Sequence, residues 1–313
     1  MKIAFVFPGQ GSQFVGMCSE FIEQVVGAKE VLELGEKVTG IPIWKLVLQG
    51  PMDELTKTSN LQPCLMAVDV ICCIAAEANG IKPEAVAGHS LGEYPALWAC
   101  GVLSLEDTFR LVHLRGRLME GAGEKNPGAM AAIIGLSKED LHEILAPLKE
   151  EGVIELANHN SPEQIVITGE KGLVYRACQA VKEKGKRAVP LKISGAFHSP
   201  LMRGPAEEFS RALDQVEFKT PKVPLYSNVS AQAETDPLRI KDLMKRQMQS
   251  PVRWYEIVTN MANDGFDIFV ELGPKKVLTN LINKCLPDNK AIKTVQIQDP
   301  EGLKEYITDL QGV

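Results

Sequence analysis

Residues 3–7 form a short unbroken apolar run that stops at Pro8-Gly9, the pattern of a strand buried on both faces. Apolar positions then recur at helical spacing through residues 19–38 and 63–79. Residues 84–88 read as a second short strand, and residues 91–100 as a helix closed by Gly101. Strands that alternate with helices predict a parallel sheet covered by helices, because parallel strands need crossover connections.

The rhythm changes near Gly128. Residues 129–135 read as a strand and 137–150 as a helix, with Ser137 and Asp140 as its capping pair. A strand pair follows at 153–157 and 164–168, and the polar run Asn158-His159-Asn160-Ser161-Pro162 reads as the turn between them. A second helix (172–184) and a last strand (187–193) complete a βαββαβ unit, the ferredoxin-like order. The parent fold resumes at Pro200, with a strand at 224–228 and a strand–turn–helix at 266–282. The expected architecture is α/β. Residues 1–127 and 196–313 form a discontinuous catalytic domain, and residues 128–195 an inserted subdomain.

Composition narrows the function classes. A net charge of −6 argues against nucleic acid as a main partner, because a phosphate backbone needs a basic face. The basic run Lys182, Lys184, Lys186 and Arg187 reads as a solvated face. Seven cysteines without a paired zinc-like spacing, set mostly among apolar neighbours, read as reduced thiols of a cytoplasmic protein. The first apolar run is too brief for a leader. Residues 65–78 carry Asp69 and Glu77 and are too short to span a bilayer, so no membrane partner is expected.

Gly88-His89-Ser90-Leu91-Gly92 matches the G-x-S-x-G nucleophile elbow, with a strand before it and a helix after it. Its bland alternative is a serine N-cap. A serine nucleophile needs a base. Among five histidines, His113 falls on a polar helix stripe and reads as solvated, and His142 lies on a charged helix. His89 adjoins the serine but points away. His159 remains a rival to His198, which lies in the loop 194–200 where the chain returns to the main domain. Arg115 is more telling. Helical periodicity places it with Leu111, Val112, Leu118 and Met119, opposite Arg110, His113, Arg117 and Glu120. A guanidinium on an apolar face needs an anion: either an internal carboxylate or a substrate carboxylate gripped by two hydrogen bonds. The glycine turn after the first strand lacks a dinucleotide fingerprint. It is either a plain turn or a source of backbone N–H groups that, with Leu91, would form an oxyanion hole.

Phe5 to Gln13, Gly88 to Tyr94, Ala196-Phe197-His198 and Glu271-Leu272-Gly273-Pro274 occur in this order along the chain. Together they resemble the malonyl-CoA:acyl carrier protein transacylases of bacterial fatty-acid synthesis, over essentially the whole chain. The resemblance implies an α/β-hydrolase-like core with a ferredoxin-like subdomain. It implies Ser90 as nucleophile, His198 as base, Gln10 and Leu91 as oxyanion donors, and Arg115 as the malonyl-carboxylate partner. Gln247 matches the position whose backbone carbonyl orients the histidine, with Gln249 as the alternative. Phe197 goes with malonyl selection. The implied partners are malonyl-CoA and acyl carrier protein, with no resident metal or cofactor; a monomer is the simplest expectation, which no motif in the chain fixes. Competing expectations are service to a polyketide synthase, a serine esterase or thioesterase, and a non-catalytic carrier-binding module.

Overall fold

The computed structural model describes residues 1–125, 127–193, 195–286 and 291–311. Ser194, at the start of the loop that carries His198, lies outside them. The larger sheet contains β1 (Lys2–Phe7) and β2 (Ala85–Gly88) at its centre. The smaller sheet is built from β3 (Gly128–Ile134), β4 (Ile154–Ser161), β5 (Gln164–Glu170) and β6 (Arg187–Pro190). The chain then returns to the larger sheet with β7 (Leu225–Tyr226), β8 (Ala233–Glu234), β9 (Phe266–Leu272) and β10 (Lys293–Ile297).

The larger sheet has the order β10-β9-β1-β2-β7-β8, parallel except for the last pair. Its central strand shows why the sequence runs apolar without alternation. Phe5 and Phe7 face one core, whereas Ala4 and Val6 face a second core around Trp254. Helices cover both faces, so both faces must be apolar. The smaller sheet is antiparallel in the order β4-β5-β3-β6, with the helices Lys138–Lys149 and Lys171–Glu183 on a core of its own. That is the βαββαβ arrangement expected from the spacing.

Several expected elements have different limits. The helical stretch at 19–38 is two helices, Ser19–Gln24 and Ala28–Thr39, separated where Gly27 takes φ 91°. The expected helix at 91–100 opens as a 3₁₀ turn, Ser90–Gly92, before the α-helix Glu93–Ala99. The expected strand at 187–193 stops at Pro190, and the one at 224–228 shrinks to Leu225–Tyr226.

Asn158-His159-Asn160-Ser161 belongs to β4 rather than to a turn. Its pairing with β5 shifts register on either side of Asn158-His159, and Asn158, paired with Val166 of β5, also bridges to Val252. The helix expected at 63–79 begins at Thr58 and is 21 residues long, with Pro63 inside it. Its length therefore does not exclude a bilayer span, but 83% of its most apolar window is buried inside the fold. All seven cysteines are buried and free.

Candidate active site

β1 and β2 run side by side, with Phe7 opposite Gly88, so the turns that follow them meet at one edge of the sheet. Carboxyl ends of parallel strands are where open α/β sheets bind ligands. Ser90 takes φ 53°, a left-handed conformation uncommon for a side-chain-bearing residue. The glycines on either side make it possible. A Cβ on Gly88 would overlap the Gly92 carbonyl, and one on Gly92 would overlap the Phe7 carbonyl. The strained turn lifts the serine hydroxyl out of the sheet.

Three elements converge on that hydroxyl. The His198 ring lies with Nε2 2.8 Å from Ser90 Oγ. Its Nδ1 is 3.1 Å from the Gln247 carbonyl and 3.0 Å from the Ser250 carbonyl. Both carbonyls can only accept, so Nδ1 carries the proton and Nε2 turns its lone pair toward the serine. The expected carbonyl partner is therefore in place, shared with Ser250; Gln249 makes no such contact. His198 is buried, and burial followed by the nearby Arg115 charge pushes its pKa down to about 3.

Arg115 enters from the helix Leu105–Lys125, which Ser104 caps through the Asp107 amide. It is 1% exposed. Its Nη2 donates to Ser90 Oγ at 3.1 Å and its Nε to Gln247 Oε1 at 3.2 Å, while the guanidinium lies 5.5 Å from the Tyr94 ring centroid. Among the described residues it forms no ion pair. No internal carboxylate reaches it directly among the described residues, although Glu93 lies near enough to favour its charge, and the guanidinium faces a cavity of about 430 Å³. Gln10, Leu91, Phe197 and His198 line the same cavity, and Met119 and Met130 supply apolar wall. A serine hydroxyl, a neutral imidazole and a buried guanidinium thus line one pocket, with Gln10 and Leu91 on its wall. This arrangement can accept an acyl group that ends in a carboxylate.

The rival histidine is elsewhere. His159 stacks edge-on against Tyr255 and lies 3.8 Å from Glu256, on a second cavity of about 380 Å³ that His198 also borders; it does not line the cavity that holds Ser90 and Arg115. His89 turns away from the serine, as expected, and its Nε2 is 2.8 Å from Asn160 Oδ1. His113 is half-buried rather than solvated, which lowers its pKa.

Other members of the cluster went unassigned in the sequence. Asn228 accepts the Ser90 N–H at 2.7 Å and donates to the Gly88 carbonyl at 2.6 Å, bracing both sides of the elbow. Glu93 lies fully buried one turn beyond the serine. Their sequence signals are an asparagine at the end of the expected strand 224–228 and an acid inside the stretch Gly88 to Tyr94.

Residues 4–300 match the acyl transferase domain family. The chain is 42% identical over 312 residues to the malonyl CoA-acyl carrier protein transacylase of Bacillus subtilis, covering 99% of this chain and 98% of that one. It also resembles the crystal structure of an acyl carrier protein S-malonyltransferase from Vibrio cholerae, with a TM-score of 0.92 and 41% identity over 97% and 99% of the two chains. A malonyl-transacylase in complex with its type II polyketide synthase acyl carrier protein aligns over the whole of both chains, with a TM-score of 0.94 and 36% identity. With a match spanning nearly its full length, the chain belongs to the acyl transferase domain family.

Proposed function

We propose that this protein transfers a malonyl group from malonyl-CoA to the phosphopantetheine thiol of acyl carrier protein, through a malonyl ester on Ser90. The observation that carries the reading is Arg115: a buried guanidinium, free of any ion pair among the described residues, that touches the serine hydroxyl. A hydrolase for neutral acyl groups has no use for such a cation, whereas a malonyl carboxylate satisfies it with two charge-assisted hydrogen bonds.

In this cycle Ser90 Oγ attacks the thioester carbonyl and its proton passes to His198 Nε2. The oxyanion rests on the Gln10 and Leu91 amides, and Phe197 bounds the acyl pocket. As the C–S bond breaks, His198 returns the proton to the CoA sulfur. The carrier thiol then gives its proton to His198 and attacks the ester, and Ser90 recovers its proton as it leaves. The names of the relatives support the pairing of malonyl-CoA with a carrier protein. We assign the protein to fatty-acid synthesis as a cytoplasmic monomer, with residues 128–195 as the inserted subdomain. The carrier-bound neighbour raises polyketide synthesis as the second pathway, which relative rates with the two kinds of carrier protein distinguish.

Intact mass after mixing with malonyl-CoA tests the central step. A malonyl adduct is expected on the wild type and none on Ser90→Ala. An unmodified wild type, or an adduct that survives the substitution, removes the ester intermediate.

A further inference from the structure

Glu93 is fully buried beneath the elbow, where an ionised carboxyl is costly unless it is well bonded. Both of its oxygens are engaged. Oε2 accepts from Gln247 Nε2 at 2.7 Å, and Oε1 accepts from the Asn228 backbone N–H at 3.1 Å. Gln247 Nε2 spends its other proton on the Ser90 carbonyl, at 3.0 Å. With both amide protons committed, the only group left to face Arg115 Nε is the amide oxygen, and it accepts there at 3.2 Å. The same residue's backbone carbonyl takes the His198 Nδ1 proton.

A primary amide can occupy its site in two flipped orientations, and only one of them suits Arg115. The alternative turns an NH₂ against the guanidinium Nε–H. Glu93 decides between them because each of its oxygens faces an N–H donor, and the carboxylate that this geometry favours can only accept. We infer that Glu93 is a positioning residue that acts through Gln247: it fixes the amide orientation, aims the Arg115 guanidinium, and so sets the preference for an acyl group bearing a carboxylate. This rests on the assignment of Arg115 as the partner of that carboxylate.

Glu93→Gln fills the same space and replaces one acceptor by a donor. The new NH₂ must face either the Asn228 backbone N–H, which cannot turn, or the Gln247 amide, which can; the nearby Ser227 hydroxyl can turn to accept but leaves the Asn228 N–H opposed. Gln247 therefore flips and Arg115 loses its acceptor. Any general loosening of the elbow slows all acyl groups alike, whereas a misaimed guanidinium slows only those that use it.

The experiment measures kcat/KM for malonyl-CoA and for acetyl-CoA with acyl carrier protein, in wild type, Arg115→Ala, Glu93→Gln, Gln247→Ala and the Glu93→Gln/Gln247→Ala double variant, each checked by thermal unfolding. The malonyl-to-acetyl ratio should fall on the order of ten- to a hundredfold in each Glu93 or Gln247 variant, the range of a lost hydrogen bond to a charged group. The double variant should lose no more than the Gln247 single, because the two residues act in series. A ratio that stays at the wild-type value in Glu93→Gln, or additive losses in the double variant, overturns the inference. If Glu93→Gln does not fold, Gln247→Ala decides alone: an unchanged ratio there overturns it. Loss of the ratio in Arg115→Ala with its retention in the other variants rejects Glu93 and keeps the malonyl reading. A wild type without malonyl preference, or an Arg115→Ala variant that keeps it, rejects both.

Discussion

The imidazole of His198 sits where a proton is hard to hold. Burial is the larger cause and the Arg115 guanidinium the second; together they bring its pKa to about 3, against about 6.5 for a free side chain. The neutral form is the one that can take a proton from Ser90, so the environment keeps the base ready over the whole physiological range. NMR of ring-labelled protein should show His198 as the neutral Nδ1–H tautomer from pH 8 down to pH 5, and Arg115→Ala should raise its pKa by removing one of the two causes. A wild-type His198 that titrates near 6.5 would contradict this account. A carboxylate bound to Arg115 offsets the same charge. On the proposed reading, malonyl binding would therefore strengthen the base just as the thioester arrives, which no neutral acyl group could do.

At the scale of elements, the elbow depends on two glycines whose Cβ positions are occupied by backbone. Gly88→Ala would drive a methyl into the Gly92 carbonyl, and Gly92→Ala would drive one into the Phe7 carbonyl. Backbone cannot step aside as a side-chain tip can, so each substitution should cost more than about 3 kcal/mol or leave an inactive protein. Urea unfolding and adduct formation on Ser90 check this, and a stable, acylated Gly92→Ala variant would refute it. The elbow was legible in the sequence because its whole requirement is local: strand, glycine, serine, glycine, helix. Arg115 was legible because helical period alone puts it on the apolar side. Asn228 and Ser250 were not, because they reach Ser90 and His198 across 138 and 52 residues of chain, and only the order of the strands brings them there. The polar run 158–161 was misread for a related reason. Polar residues in a strand look like a turn until the cleft they face is known, and Asn160 faces His89.

Across the whole molecule, the site is supported by acids that burial keeps protonated more readily than usual. Glu93 and Glu271 are each pushed up to about 7, chiefly by burial, and Glu271 accepts from the Leu278 and Thr279 amides at the start of the cavity-lining helix Val277–Cys285. Asp69 is the extreme case. It is completely buried in the helix Thr58–Ala78, neither oxygen has a hydrogen-bond partner among the described residues, and Glu271 adds to the burial that raises its pKa. The folded chain therefore holds protons that the unfolded chain releases above about pH 4. By linkage, stability conferred by such groups is full at low pH and declines as pH rises toward their folded-state pKa values. His198 works in the opposite sense. It is neutral when folded and charged when unfolded, so its contribution grows as pH rises from about 3 toward 6.5. Asp69→Asn isolates one side of this balance, because an amide of the same shape keeps the packing against Gly273 and has no proton to lose. Relative to wild type, the variant should gain stability as pH rises from 5 to 7, with about 1.4 kcal/mol per pH unit as the ceiling for one proton held by the folded state alone. Urea unfolding at those two pH values measures it. A stability difference that does not change with pH would mean that Asp69 is ionised in the folded protein and has found a donor.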